Sequence, residues 1–319
     1  MKDKEKRFDE IEIEKVRTIS IKERKSKVMI ENFGKTYKAG NSFLNFLETL
    51  PDILAVKDFR YVIDSTTNAV INKRSVIFML GAHVIKCGLS PIIIDLMEKG
   101  IITAVAINGA GVIHDTEIAC WGKTSEDVEE NLKNGTFGMA AETAEIINTT
   151  ISEGKSGDLG FGELMGKRLS EKDIPNGKFS ILSVGFRLRI PVTVHVAIGT
   201  EVVHQHPTAD GEAIGKLSLK DFRIFANNLK DLDGGLVFNI GSAVILPEVF
   251  LKALTVVKNL EYRVENFTAV NIDMIQHYRP RVNVVERPTA QGGKGISLTG
   301  HHEIMIPLLA AALKERLKI

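Results

Sequence analysis

Residues 101–107 (IITAVAI) constrain this chain more than any other stretch. They form a short, nearly unbroken apolar run, with Gly100 before it and Asn108-Gly109 after it. A strand with one wet face alternates polar and apolar residues. A run that is apolar on both faces has to be covered on both, which is the habit of a parallel strand sandwiched between helices. The flanks agree. Residues 89–99 carry Ile92, Ile93, Leu96 and Met97 at helical spacing and stop at Gly100, a usual helix stop signal. Residues 111–120 read as the next helix.

The same reading extends along the chain. Strands are predicted at 61–63, 76–80, 192–198, 236–240 and 267–272. Helices are predicted within 40–57 and at 137–151, 179–186, 218–232, 247–258 and 303–317. A further helix is expected to be capped by Thr124 or Ser125, with Glu126 and Asp127 in its first turn. The glycine-rich stretch 152–166 and Gly292-Gly293-Lys294-Gly295 are read as loops. Alternation of this kind predicts a doubly wound, mostly parallel α/β sheet with helices on both faces, a Rossmann-like arrangement. Residues 1–57 are read as an N-terminal arm and helical extension, and 58–319 as the sheet domain. Within the arm, residues 1–28 mix charges densely and suit either disorder or a segment laid on a neighbouring subunit.

Composition limits the function classes. The net charge is +1, so no global field points to nucleic acid or to an anionic membrane. Arg279, Arg281 and Arg287 cluster, but Tyr278 is their only aromatic neighbour, and nucleic-acid binding is not assigned. No apolar run reaches the ~18 residues of a membrane helix, and the first residues are charged, so a cytoplasmic protein is expected. The two cysteines, Cys87 and Cys120, make neither a disulfide framework nor a metal pattern.

Ligands on doubly wound sheets bind at the carboxyl ends of the strands, where the winding reverses. Four segments could carry chemistry, the first three of them at such ends: 108–117, 81–88, 199–207 and 292–295. Asn108, Gly109, Ala110 and Gly111 (NGAG) follow the best strand and open a helix whose free N–H groups suit a pyrophosphate; tight strand–helix packing explains the glycines equally. Just beyond, helical spacing puts His114 near Glu117, which suits acid–base work, whereas Asp115 and Glu117 also fit as first-turn acids. His83 and Lys86, between Gly81 and Gly88, point to a site or to a solvated sheet edge. His204 and His206, with Glu201 nearby, form an H-x-H pair in an extended stretch; spacing identifies no third ligand, so no metal is assigned. Gly292–Gly295 lacks the pattern of a phosphate-binding P-loop.

Together these segments resemble the deoxyhypusine synthase family. The likeness is carried by VIFMLGAHVIKCGLSPIIIDLMEKGIITAVAINGAGVIHDTEIACWG (76–122), by the Ile-Pro-Val strand and acidic loop of 189–206, by 235–260, by 267–272 and by the tail TGHHEIMIPLLAAAL. The resemblance implies a doubly wound NAD-binding fold and a homotetramer with active sites between subunits. It implies that Ala110-Gly111 is the pyrophosphate-proximal turn, that Asp115 stands where the family has an acidic pair, and that Asn271 lines the NAD site. It also exposes a departure. The lysine with which the family forms an imine falls here on Ile245, which has no amine to form one. The tryptophan of the family's amine pocket has no counterpart in line, Trp121 lying elsewhere.

The function expected from this is an NAD-dependent enzyme acting on a small amine or related metabolite with diverged chemistry. Asn108, Gly109, Ala110, Gly111 and Asn271 would hold the cofactor, and His83, Lys86, His114 and Asp115 would supply catalysis. Two other readings stand beside it: a metal-dependent hydrolase using His204, His206 and a ligand such as His277, and a non-catalytic paralogue serving as a binding or scaffold protein.

Overall fold

The computed structural model describes Phe8 and residues 10–319. In chain order it contains α1 (Phe43–Thr49), α2 (Leu54–Ile71), β1 (Val76–Leu80), α3 (Ala82–Lys86), α4 (Ser90–Glu98), β2 (Ala104–Asn108), α5 (Gly109–Trp121), α6 (Val128–Asn134) and α7 (Ala141–Gly154). There follow α8 (Phe161–Leu169), α9 (Ile181–Leu188), β3 (Val192–His195), α10 (Gly211–Leu229), β4 (Leu236–Ile240), α11 (Ile245–Asn259), β5 (Thr268–Asp273), the single turn α12 (Tyr278–Pro280), β6 (Lys294–Thr299) and α13 (His302–Leu317).

The strands form one six-stranded sheet in the order β3-β2-β1-β4-β5-β6. Every pairing is parallel, with registers such as Phe78 opposite Val105 and Phe238. The α/β, Rossmann-like architecture is therefore as the apolar runs require. Alternate strand residues face opposite layers. Phe78, Leu80, Val105, Ile107, Val194, Phe238 and Val270 pack with Val62, Ile93, Val112 and Leu309 from α2, α4, α5 and α13. Ile77, Met79, Ala106, Val237 and Ala269 pack with Phe225, Leu229, Phe250 and Leu254 from α10 and α11. Helices thus cover both faces, and strands β1 and β4 are buried at every position.

Several elements differ from expectation, each for a local reason. Residues 61–63 are no strand; they lie inside α2, whose buried Phe59, Val62, Ile63, Thr66 and Ala69 repeat at helical spacing. The line drawn between 57 and 58 likewise falls within this helix. The stretch 152–166 is not all loop. Helix α8 starts at Phe161 and buries Phe161, Met165 and Leu169. Its glycines allow close approach: a Cβ on Gly162 would lie 1.7 Å from the Val192 carbonyl oxygen. The Gly292–Gly295 segment runs into edge strand β6, which pairs with β5 from Lys294 onward. Lys294 places its ammonium 3.5 Å from the centre of the Tyr61 ring. Of the arm 1–28, residues 1–7 and 9 lie outside the described residues. No helix among the described residues is long and apolar enough to cross a membrane.

Candidate active site

The winding reverses between β1 and β4, so the first place for a ligand is the crevice between their carboxyl ends. That crevice is filled by its own backbone. Gly81 donates its amide to the Ile240 carbonyl at 2.8 Å. A Cβ on Gly81 would lie 2.1 Å from the Gly241 carbonyl oxygen. The His302 ring, from the first turn of α13, lies over Gly241.

Open space lies one strand over, at the end of β2. A cleft of about 740 Å³ is bounded by α3, α5, the 123–128 segment, the start of α7 and the loop after β3. Its walls carry Lys86, His114, Glu117, Trp121, Thr124, Glu126, Glu142, Thr143 and Glu201, with apolar Ala110, Ile113, Phe137 and Val202 between them. Trp121, at the last turn of α5, lies on this wall and is 40% exposed. An aromatic face in the cleft is thus present, although its place in the sequence gave no hint of it.

One polar chain crosses the cleft. Thr124 donates its hydroxyl to Glu117 Oε2 at 2.5 Å, and His114 Nδ1 stands 2.6 Å from the same hydroxyl oxygen. Thr143 donates to Glu117 Oε1 at 3.1 Å. Thr124 caps no helix; Asp127 caps α6, accepting from the Glu130 amide. Burial holds the His114 pKa below its ordinary value; the Glu117 charge raises it, and the Lys86 and His83 charges lower it. His83, Lys86 and His114 thus share one electrostatic neighbourhood. His83 and Lys86 are exposed, and His83 Nε2 lies 3.2 Å from Cys87 Sγ.

The fourth predicted catalytic residue is elsewhere. Asp115 is fully buried on the far side of α5 and belongs to the packing of α9. It accepts from the Ser180 hydroxyl at 2.5 Å and from the Ile181 and Leu182 amides at 2.8 and 3.1 Å. Burial raises its pKa to about 6, against the pull of those three donors. The cleft does not include it.

The glycine turn is an anion seat with an anion already in it. Asn108 Oδ1 accepts the Gly111 amide at 3.1 Å, capping α5. Against Gly109 lies the Glu201 carboxylate: a Cβ there would meet Oε1 at 2.5 Å. Free amides and the positive end of a helix favour such a carboxylate. Glu201 is 5% exposed, its Oε2 has no hydrogen-bond partner, and Nδ1 of His204 stands 3.2 Å away. Burial raises its pKa, while hydrogen bonds, including those from the Ala197 and Gly109 amides, hold the rise back. The turn therefore fits a pyrophosphate in kind, once Glu201 leaves it. Asn271 does not fit in the same way. It is fully buried, accepting from Asn239 at 2.7 Å and donating to Gln276 at 2.7 Å.

The H-x-H residues part company. His204 Nδ1 accepts the Gly199 amide at 3.1 Å, and His206 Nε2 donates to the Gly138 carbonyl at 2.8 Å. The stretch is a turn of 3-10 helix rather than an extended segment, so the two rings do not share a face. Among the described residues no three His, Cys, Asp or Glu side chains are grouped to hold a metal ion.

No protein-family model and no curated protein matches this sequence. Solved structures do resemble it in fold. A conserved Methanococcus maripaludis S2 protein, provisionally placed in the LOR/SDH group, aligns with 84% of this chain and 72% of its own at 15% identity, with a TM-score of 0.51. An Entamoeba histolytica protein with a provisional deoxyhypusine synthase assignment aligns over 88% and 95% at 10% identity, TM-score 0.53. AgrE, in a ternary complex with ornithine and NAD+, aligns with 82% of this chain at 14% identity, TM-score 0.54. The chain spans 34% of AgrE's length. At these identities the likeness is one of fold.

Proposed function

We propose that this chain is an NAD-dependent enzyme that oxidises a small amine or related metabolite in the cleft at the end of β2. The observation that carries the reading is the make-up of that cleft. One partly buried histidine with an oriented ring faces four carboxylates and a tryptophan inside about 740 Å³. Carboxylates and an aromatic face are what a cationic amine calls for. The presence of NAD+ in the AgrE complex supports the choice of cofactor.

In this reading the amides of Gly109 and Ala110 take the cofactor's pyrophosphate after Glu201 withdraws, with Asn108 holding the Gly111 amide and so the shape of the turn. When bound, an oxidised nicotinamide supplies a hydride acceptor. The chain's own residues do the rest. Glu126 and Glu142 hold the substrate ammonium at the cleft wall, and the Trp121 ring covers it. His114 takes the proton that leaves the amine nitrogen as hydride departs from its carbon. Lys86, exposed at the mouth, offers a positive charge to the cofactor's phosphates. Ile245, at the first position of α11, has no amine, so no imine forms between substrate and protein there.

Titration calorimetry with NAD(H) and NADP(H) tests the proposal. Saturable binding is expected; absence of binding at millimolar concentration overturns it.

A further inference from the structure

We infer that Thr124 and Glu117 are positioning residues that fix the tautomer of His114, leaving the proton on Nδ1 and the free lone pair on Nε2. The inference rests on the cleft being a site of proton transfer, but its chemistry can be read without cofactor or substrate.

The argument is a count of protons. A threonine hydroxyl has one proton to donate. Two groups lie within reach of Thr124 Oγ1: Glu117 Oε2 at 2.5 Å and His114 Nδ1 at 2.6 Å. A carboxylate only accepts. Thr143 donates to the other oxygen of Glu117 at 3.1 Å, which suits a carboxylate accepting on both sides. The Thr124 proton therefore points to Glu117, and the hydroxyl oxygen is left to accept. His114 Nδ1 must then be the donor. A neutral imidazole carries one N–H, so Nε2 is bare. That nitrogen takes no hydrogen bond from the described residues, and the ring lines the cleft.

The arrangement does for His114 what a buried carboxylate does for a catalytic histidine elsewhere, with a hydroxyl interposed. When Nε2 accepts a proton from an ammonium or a water, the imidazolium keeps its Nδ1–H on Thr124. The new positive charge then faces Glu117 through one oxygen. The parts come from three elements. His114 and Glu117 stand one turn apart on α5, Thr124 lies in the segment after it, and Thr143 is on α7. Thr143 is buried and Thr124 half-buried, which shields the chain of bonds from water.

Glu117→Gln gives the sharpest test because it should reverse the chain. Thr143 keeps the amide oxygen on its own side, so the amide NH2 faces Thr124. Thr124 then accepts from Gln and gives its proton to His114 Nδ1, which moves the histidine proton to Nε2. Long-range proton–nitrogen correlation spectra of ¹⁵N-histidine-labelled protein, with His114 assigned by His114→Gln, read the tautomer directly. The expected result is Nδ1–H in the unmodified protein and in Thr124→Ser, and Nε2–H in Glu117→Gln. An Nε2–H tautomer or an even mixture in the unmodified protein overturns the inference, and needs no variant to fold. So does an unchanged tautomer in a folded Glu117→Gln. Failure to bind NAD would leave this result standing, and a wrong tautomer would leave the NAD titration standing.

Discussion

Glu201 should compete with any diphosphate for the amino end of α5, and replacing it should show by how much. Glu201→Gln keeps the shape of the side chain and removes its charge. The substitution removes a buried charge at Oε2, an atom that has no hydrogen-bond partner, so the variant should stay folded. The carboxylate touches the place that a Cβ of Gly109 would take, so an incoming phosphate would come within about 4 Å of it or displace it. Two unit charges at about 4 Å repel by about 1 kcal/mol in water and about 4 kcal/mol at an effective dielectric of about 20. Glu201 is 5% exposed, which places the cost towards the larger value. Every 1.4 kcal/mol or so is about tenfold in affinity. Glu201→Gln is thus expected to bind ADP-ribose, whose diphosphate stays ionised, at least about tenfold more tightly at low salt. Protonation does the same job as substitution. Burial raises the Glu201 pKa, so affinity of the unmodified protein should climb as pH falls towards that value, while the variant's stays flat. Calorimetric titration of both proteins across pH decides it. Equal affinities, or a shared pH slope, would refute the view that Glu201 sits in the anion's place.

Asp115→Ala removes the acceptor for one hydroxyl and two amides at the buried start of α9; a loss of about 3 kcal/mol in unfolding free energy is expected by urea denaturation, and a loss below about 1 kcal/mol would contradict the packing role. Asp221 accepts the Gly162 and Val194 amides, and burial raises its pKa to about 7 from 3.8. A raised carboxyl pKa gives stability that is full below the unfolded value and is lost as pH rises to the folded one, so the unmodified protein should lose up to about 4 kcal/mol relative to Asp221→Asn between pH 4 and 7; parallel pH profiles would contradict this. Trp121 is the sole tryptophan, so intrinsic fluorescence reports the cleft wall. A small diamine should change its emission, and Trp121→Ala should weaken that ligand by about 1 kcal/mol; emission indifferent to amines would count against the amine reading.

Much of the sheet was legible because burial on both faces leaves a simple signature. Residues 76–80 and 236–240 are strands at the bounds read from the sequence. The signature fails where an element is half-covered. Edge strand β6 buries only Ile296 and Leu298 and begins within a stretch of three glycines in four residues, Gly292, Gly293 and Gly295, so its start reads as loop. The site was legible only in part, because its key bonds are made by groups with weak sequence signals. His114 and Glu117 do lie one turn apart, as helical spacing requires, but they are joined through Thr124, whose position suggested a helix cap. Glu201 was noticed only as company for two histidines. Its real neighbour is Gly109, and that contact depends on how the loop after β3 folds back over β2. Asn271 lies two residues short of the end of β5, and it is held inside an amide chain with Asn239 and Gln276, a burial that no local pattern announces.

The displacement of the cleft follows from the glycines at the winding reversal. In a doubly wound sheet the separation of the two loops there makes the binding crevice. Gly81 and Gly241 let the loops after β1 and β4 close to backbone contact, and His302 covers the seam. A buried ring with an unpartnered Nδ1 is costly to place; here it stands where a ligand would otherwise enter. On the α5 side the cleft at the end of β2 is open. There, anything that approaches the sheet passes between His114 on α5 and Glu201 on the facing loop, both of which line the same space. The oriented His114 ring and the Glu201 carboxylate thus line one cleft. This makes the two experiments on Glu117 and Glu201 tests of opposite walls of one cleft: one wall should alter the proton's position without changing anion affinity much, and the other should do the reverse.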